Sequence, residues 1–103
     1  MVEESVTNLV KRYAQKVSAY FPLKRVILFG SYALGKGNPS SDIDVAIVLK
    51  DEPKDILKTE ATLYKLRRNI DLRIEPILVD DQNDRSGFWA EISRYGQEIY
   101  SSN

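Results

Sequence analysis

The sequence predicts a small α/β sandwich: a sheet of about three to four strands under two to four helices. Three observations lead there. Residues 42–49 alternate strictly between two faces, residues 26–29 form a short continuous apolar run, and apolar residues recur at helical spacing near both ends of the chain. A length of 103 residues suits one domain, 1–103, with a single two-layer core.

Taken in order, Val2, Val6, Leu9, Val10, Tyr13 and Val17 predict an amphipathic helix to about Tyr20, where Pro22 blocks continuation. Val26-Ile27-Leu28-Phe29 reads as a strand buried on both faces. Gly30-Ser31 ends it, a short helical turn covers Ser31 to Leu34, and Gly35 to Ser41 is loop by composition. In the next strand Ile43, Val45, Ile47 and Leu49 share one face, and Asp42, Asp44, Ala46 and Val48 share the other. Pro53 suits a first helical turn, and Ile56, Leu57, Leu63 and Leu66 carry that helix to about Arg68. A third strand is expected from Ile70 to Val79, with Pro76 marking an edge or a bulge. Asp80 to Gly87 is polar loop, and Phe88, Trp89, Ile92 and Tyr95 form a last helix that Gly96 can cap.

Composition removes several classes of chemistry. Fifteen basic residues balance fifteen acidic ones, which argues against direct nucleic-acid or membrane-surface binding. The densest basic cluster, Lys65, Arg67 and Arg68, reads as a solvated helix face. Without cysteine or histidine there is no thiolate site, no cysteine nucleophile and no histidine triad. Any metal must therefore be held by oxygen, which selects magnesium or manganese. The start Met-Val-Glu-Glu-Ser lacks the basic and apolar parts of a signal peptide, so a cytoplasmic location is expected.

Two short motifs carry the chemistry. Where a strand ends in Gly30-Ser31 and a helical turn begins, backbone N–H groups attract phosphate, glycine lets it approach, and serine adds a hydroxyl donor. Asp42 and Asp44, two apart on a strand, project from one face and repel one another. A divalent cation turns that repulsion into affinity and can bridge triphosphate oxygens. Either motif alone has an ordinary explanation, a turn or a loop cap. Their coincidence eleven residues apart, after an apolar strand, points to a site.

Leu28-Phe29-Gly30-Ser31-Tyr32-Ala33-Leu34-Gly35 followed by Ser41-Asp42-Ile43-Asp44-Val45 resembles the signature of the DNA polymerase β-like nucleotidyltransferases. It is most similar to the minimal nucleotidyltransferases (MNT), whose motif reads Gly-Ser-x-Ala-Arg-Gly and then Ser-Asp-Ile-Asp. Phe88 to Ile92 and Gly96 to Tyr100 resemble the last helix and strand of such domains. The resemblance implies an α/β fold with a mixed sheet and helices packed on one side, and magnesium-dependent transfer of a nucleotidyl group, AMP if the donor is ATP, with release of pyrophosphate. By it, Gly30 and Ser31 hold the triphosphate, and Asp42 and Asp44 are catalytic metal ligands. The family adds a third carboxylate from a later strand, for which Glu75 and Asp71 compete. Glu75 is preferred because it lies mid-strand among apolar residues, where an unpaired carboxylate is costly, while Asp71 suits a turn. The family's arginine is replaced by Leu34, and Lys36 could supply the cation near the phosphates.

The resemblance also implies a partner. Minimal nucleotidyltransferases pair with helical proteins of the HEPN class, and some are antitoxins that adenylylate them. An acceptor supplied by another protein fits a chain of this size. Two further readings stand beside it: a binding-only antitoxin that masks its partner, which Leu34 favours, and a homodimeric small-molecule enzyme of the aminoglycoside-modifying type.

Overall fold

Apolar spacing and sheet pairing together place every element of the computed structural model, which describes residues 4–38 and 40–102. Val2, at the head of the apolar helical series, and Pro39, in the central loop, lie outside these residues. The chain runs α1 (Glu4–Ser18), β1 (Leu23–Phe29), β2 (Ile43–Leu49), α2 (Ile56–Leu66), β3 (Ile74–Leu78), α3 (Phe88–Tyr95) and β4 (Gln97–Ser101). Among the described residues no helix is long and apolar enough to cross a membrane.

The sheet has four strands in the order β3-β2-β1-β4. β1 pairs antiparallel with both β2 and β4, and β2 pairs parallel with β3. The two central strands carry the apolar runs, as strands flanked on both sides must. Val26, Leu28, Ile43, Val45 and Ile47 face a core closed by Val6, Val10, Tyr13 and Val17 of α1 and Leu63 and Leu66 of α2. The buried Tyr13 hydroxyl donates to Leu63 O at 2.7 Å and so ties the two helices together. The long helices thus share one face, as expected. The other face is apolar at Ile27 and Ala46, and α3 covers it through Ile92, with Trp89 and Phe29 at the margin.

Three boundaries differ from the sequence reading. β1 begins at Leu23 rather than Val26, because Lys24 and Arg25 find partners: Lys24 pairs with Asp81 at 2.6 Å, and Arg25 lies over the Trp89 ring. α2 starts at Ile56, not at Pro53, because Asp55 is its N-cap and accepts from the Lys58 N–H at 3.0 Å. β3 starts at Ile74, not at Ile70, since residues 70–73 form a turn in which Asp71 accepts from the Arg73 N–H at 2.8 Å. Asp71 and Glu75 therefore do not share a strand face. β3 is an edge strand, which is where Pro76 belongs.

Gly96 does close α3, its N–H bonding to Ile92 O, but with φ −83° it is not left-handed. Glycine is needed there for room: a Cβ would lie 2.6 Å from Ile92 O and 2.9 Å from Leu28 O. At the other end of α3, the Asp84 carboxylate accepts from the N–H groups of Trp89 and Ala90, both at 2.9 Å.

Candidate active site

Strand direction decides which residues meet. β1 ends where its antiparallel neighbour β2 begins, so Phe29 pairs with Asp44. β3 runs parallel to β2, so its start falls at the same end and Glu75 pairs with Asp44. Gly30, Asp44 and Glu75 thereby form a row at one end of the sheet, and Asp42 lies just ahead of β2 on the face of Asp44. Gly30 has φ +76°, and a Cβ built there would overlap Asp44 Oδ2. The two halves of the motif are in contact, and only glycine permits it.

Beyond Gly30 the chain makes the short helical turn expected from the sequence. Leu34 N–H bonds to Gly30 O at 3.3 Å, Gly35 N–H to Tyr32 O at 3.1 Å and Lys36 N–H to Ser31 O at 2.8 Å. The amides of Tyr32 and Ala33 precede the first bond of this turn, as do the free donors of a helix start. Ser31 and Lys36 are exposed. Beside Gly30, which also lines it, Phe29, Leu34, Phe88, Glu91, Ile92 and Tyr95 form an open, largely apolar groove of about 410 Å³.

The acids at this end are not equivalent. Burial, reinforced by the charges of Asp42 and Glu75, pushes Asp44 above the usual carboxylate range. Among the described residues neither Asp42 nor Asp44 takes part in an ion pair. Asp71 is the opposite case. Hydrogen bonds from the Arg73 guanidinium, the shortest at 2.8 Å, outweigh its burial and hold it below that range. Arg73 in turn donates to the Tyr32 hydroxyl at 3.0 Å, and that hydroxyl donates to Asn38 O, tying the chain down at Asn38. Asp71 is thus satisfied by the chain itself, which leaves Glu75 as the carboxylate in register with the pair.

Glu75 is nevertheless drawn outward. Its carboxylate accepts from the Tyr64 hydroxyl at 2.9 Å and lies 3.5 Å from Arg67 Nη1. Among the described residues no three acidic side chains converge into a ready metal cage. Two aspartates that form no ion pair among the described residues offer the oxygen donors that suit a hard divalent cation, while Glu75 is engaged by Tyr64 and Arg67.

Sequence reasoning missed Tyr64, Arg67, Tyr32 and Arg73. Arg67 had been assigned to a solvated basic face, yet its Nη1 donates to Leu72 O and Ile74 O at 2.9 and 2.8 Å along the open edge of β3. Nothing in local spacing distinguishes it from Lys65 or Arg68, because the edge it caps belongs to another element.

Comparison with known proteins places the chain in a family. The sequence profile of the nucleotidyltransferase domain matches residues 10–98. A Methanocaldococcus jannaschii protein named as a protein adenylyltransferase is 34% identical over 101 residues, covering 91% of this chain and 98% of its own length. A second protein of that organism and name is 32% identical over 89 residues, which span 81% of this chain but 60% of the longer relative. Among solved structures, a nucleotidyltransferase from Sulfolobus solfataricus superposes with TM-score 0.67 at 24% identity, over 95% of this chain and 85% of that one. A chain of the complex between the tri-AMPylated Shewanella oneidensis HEPN toxin and its MNT antitoxin superposes with TM-score 0.60 at 21% identity, over 94% and 71%. At such identities the structural likeness is one of fold. The profile and the full-length relative together establish that this chain belongs to the nucleotidyltransferase domain family, and is a nucleotidyltransferase.

Proposed function

We propose that this enzyme transfers AMP from ATP to a hydroxyl group on a protein partner of the HEPN class, acting in the cytoplasm as the antitoxin of a toxin–antitoxin pair. The observation that carries the reading is the contact of Gly30 with Asp44, which sets a phosphate-binding turn against a carboxylate pair. Support for a protein acceptor comes from the full-length relative named as a protein adenylyltransferase. Support for a HEPN partner comes from the fold shared with chains of MNT–HEPN complexes.

In this reading the turn after Gly30 and the Ser31 hydroxyl bind the triphosphate, and Lys36 adds a cation at its margin. Asp42, Asp44 and Glu75 hold magnesium or manganese. The metal supplies neutralisation of phosphate charge and activation of the attacking hydroxyl. A bond forms between the acceptor oxygen and the α-phosphorus as the bond to the β-phosphate oxygen breaks. Pyrophosphate leaves, and the acceptor proton passes to the Glu75 carboxylate.

The test is incubation with ATP, magnesium and a HEPN-class protein of the same organism, followed by intact mass of both chains. An added adenylyl group on the partner is expected. A tight complex without mass change would favour masking instead. Leu34 is the observation on that side: it is 55% exposed at the position where the family motif carries arginine.

A further inference from the structure

Around Glu75 the open edge of β3 carries an arrangement that the transfer reaction does not require. Tyr64, in the last turn of α2, donates to Glu75 Oε2 at 2.9 Å. Arg67, the C-cap of α2, sits 3.5 Å from Oε1 and lies over the Tyr64 ring, 4.8 Å from its centroid. Both carboxylate oxygens are therefore engaged on the α2 side, although the register places Glu75 beside Asp44. Arg67 is itself anchored by the carbonyls of Leu72 and Ile74, so in any exchange of partners the carboxylate is the group that would move. At 3.5 Å the guanidinium lies beyond the usual hydrogen-bond range, so the Tyr64 hydroxyl is the principal hold.

Three carboxylates at one sheet end repel one another, and drawing one of them to a donor and a cation relieves that repulsion. A divalent cation between Asp42 and Asp44 offers the same two oxygens a stronger charge. We propose that Tyr64 and Arg67 are positioning residues that hold Glu75 at the sheet edge until a divalent cation claims it, so that the Tyr64 hydrogen bond competes with metal. The inference rests on the reading of Glu75 as the third carboxylate. It makes metal affinity adjustable from α2, an element that contributes no metal ligand.

Tyr64→Phe removes the hydroxyl and keeps the ring beneath Arg67. Binding of Mn2+ alone, followed by electron paramagnetic resonance, reads the competition without relying on turnover. In Tyr64→Phe the Mn2+ dissociation constant should fall about fivefold, about 1 kcal/mol by RT ln K. The same substitution in a Glu75→Gln background should leave Mn2+ affinity unchanged. Unaltered or weaker Mn2+ binding in Tyr64→Phe, with or without a lower unfolding midpoint, overturns the proposal. So does a gain that survives in Glu75→Gln. Asp44→Asn separates the two levels. Loss of Mn2+ binding upholds the site, and wild-type binding in that variant sinks the site and the competition together.

Discussion

Asp44 and Asp71 lie at the same end of one small sheet, and their surroundings push them in opposite directions. Asp71 is gripped by the Arg73 guanidinium and held below the usual carboxylate range. Asp44 is partly buried beside two other acids and is pushed above it. The difference separates a carboxylate whose cation is built into the fold from one to which the described residues supply no ion-pair partner. Charge alone does not separate them, and neither does proximity to the site.

The largest expected effect breaks the comparison on the Asp44 side. Asp42→Asn and Asp44→Asn should each reduce transfer to background while the metal-free fold stays at least as stable, because removing one of several repelling charges relieves strain. Labelled-nucleotide transfer and thermal unfolding of the same samples check both halves, and activity in both variants would remove the assignment. Glu75→Gln should come next, lowering transfer far more than Asp71→Asn does. The reverse ranking would move the third carboxylate to Asp71.

Asp71→Asn should act on stability instead. Losing charge-assisted hydrogen bonds to Arg73 should cost roughly 1.5–3 kcal/mol. For a domain of this size that is on the order of 4–8 °C per kcal/mol in the unfolding midpoint. Turnover per folded molecule should survive. Ser31→Ala sharpens the phosphate half of the site. Magnesium and ATP together should raise the midpoint more than either alone, and the variant should lose roughly 1.5–3 kcal/mol of that joint effect. Equal stabilisation by ATP in excess chelator would exclude a bridging metal.

The smallest effect is the dependence on pH, and its sign differs for the two acids. Asp44, with a raised folded pKa, binds its proton more tightly in the folded state, so its contribution to metal-free stability grows as pH falls through that value. Asp71, with a depressed folded pKa, contributes stability that is complete above the unfolded value of about 3.9 and is lost as pH falls through the folded one. The advantage of Asp44→Asn over wild type should therefore shrink between neutral pH and about pH 4.5, while the deficit of Asp71→Asn should persist across that range. Urea unfolding of the three proteins at both pH values measures the two gaps.

What the sequence by itself determined is local. Period-two alternation put Ile43, Val45 and Ile47 into the core and Asp42 and Asp44 on the opposite face, and the structure keeps that division. Helical spacing found the buried stripe of α1 from Val6 to Val17, and the turn at Gly30-Ser31 was legible from glycine at a strand end. Tertiary structure alone decided what crosses between strands. The sequence reading began β3 at Ile70, although it judged Asp71 better suited to a turn; the structure starts the strand at Ile74, and the Arg73 guanidinium grips the Asp71 carboxylate within the turn before it. It assigned Arg67 to solvent, and the open edge of β3 recruited it. Periodicity encodes which face a side chain takes, because that depends on the backbone within a few residues. Register between Phe29, Asp44 and Glu75 depends on how apolar faces distant in the chain settle against one another, and a side chain's partner is chosen only once that packing is complete.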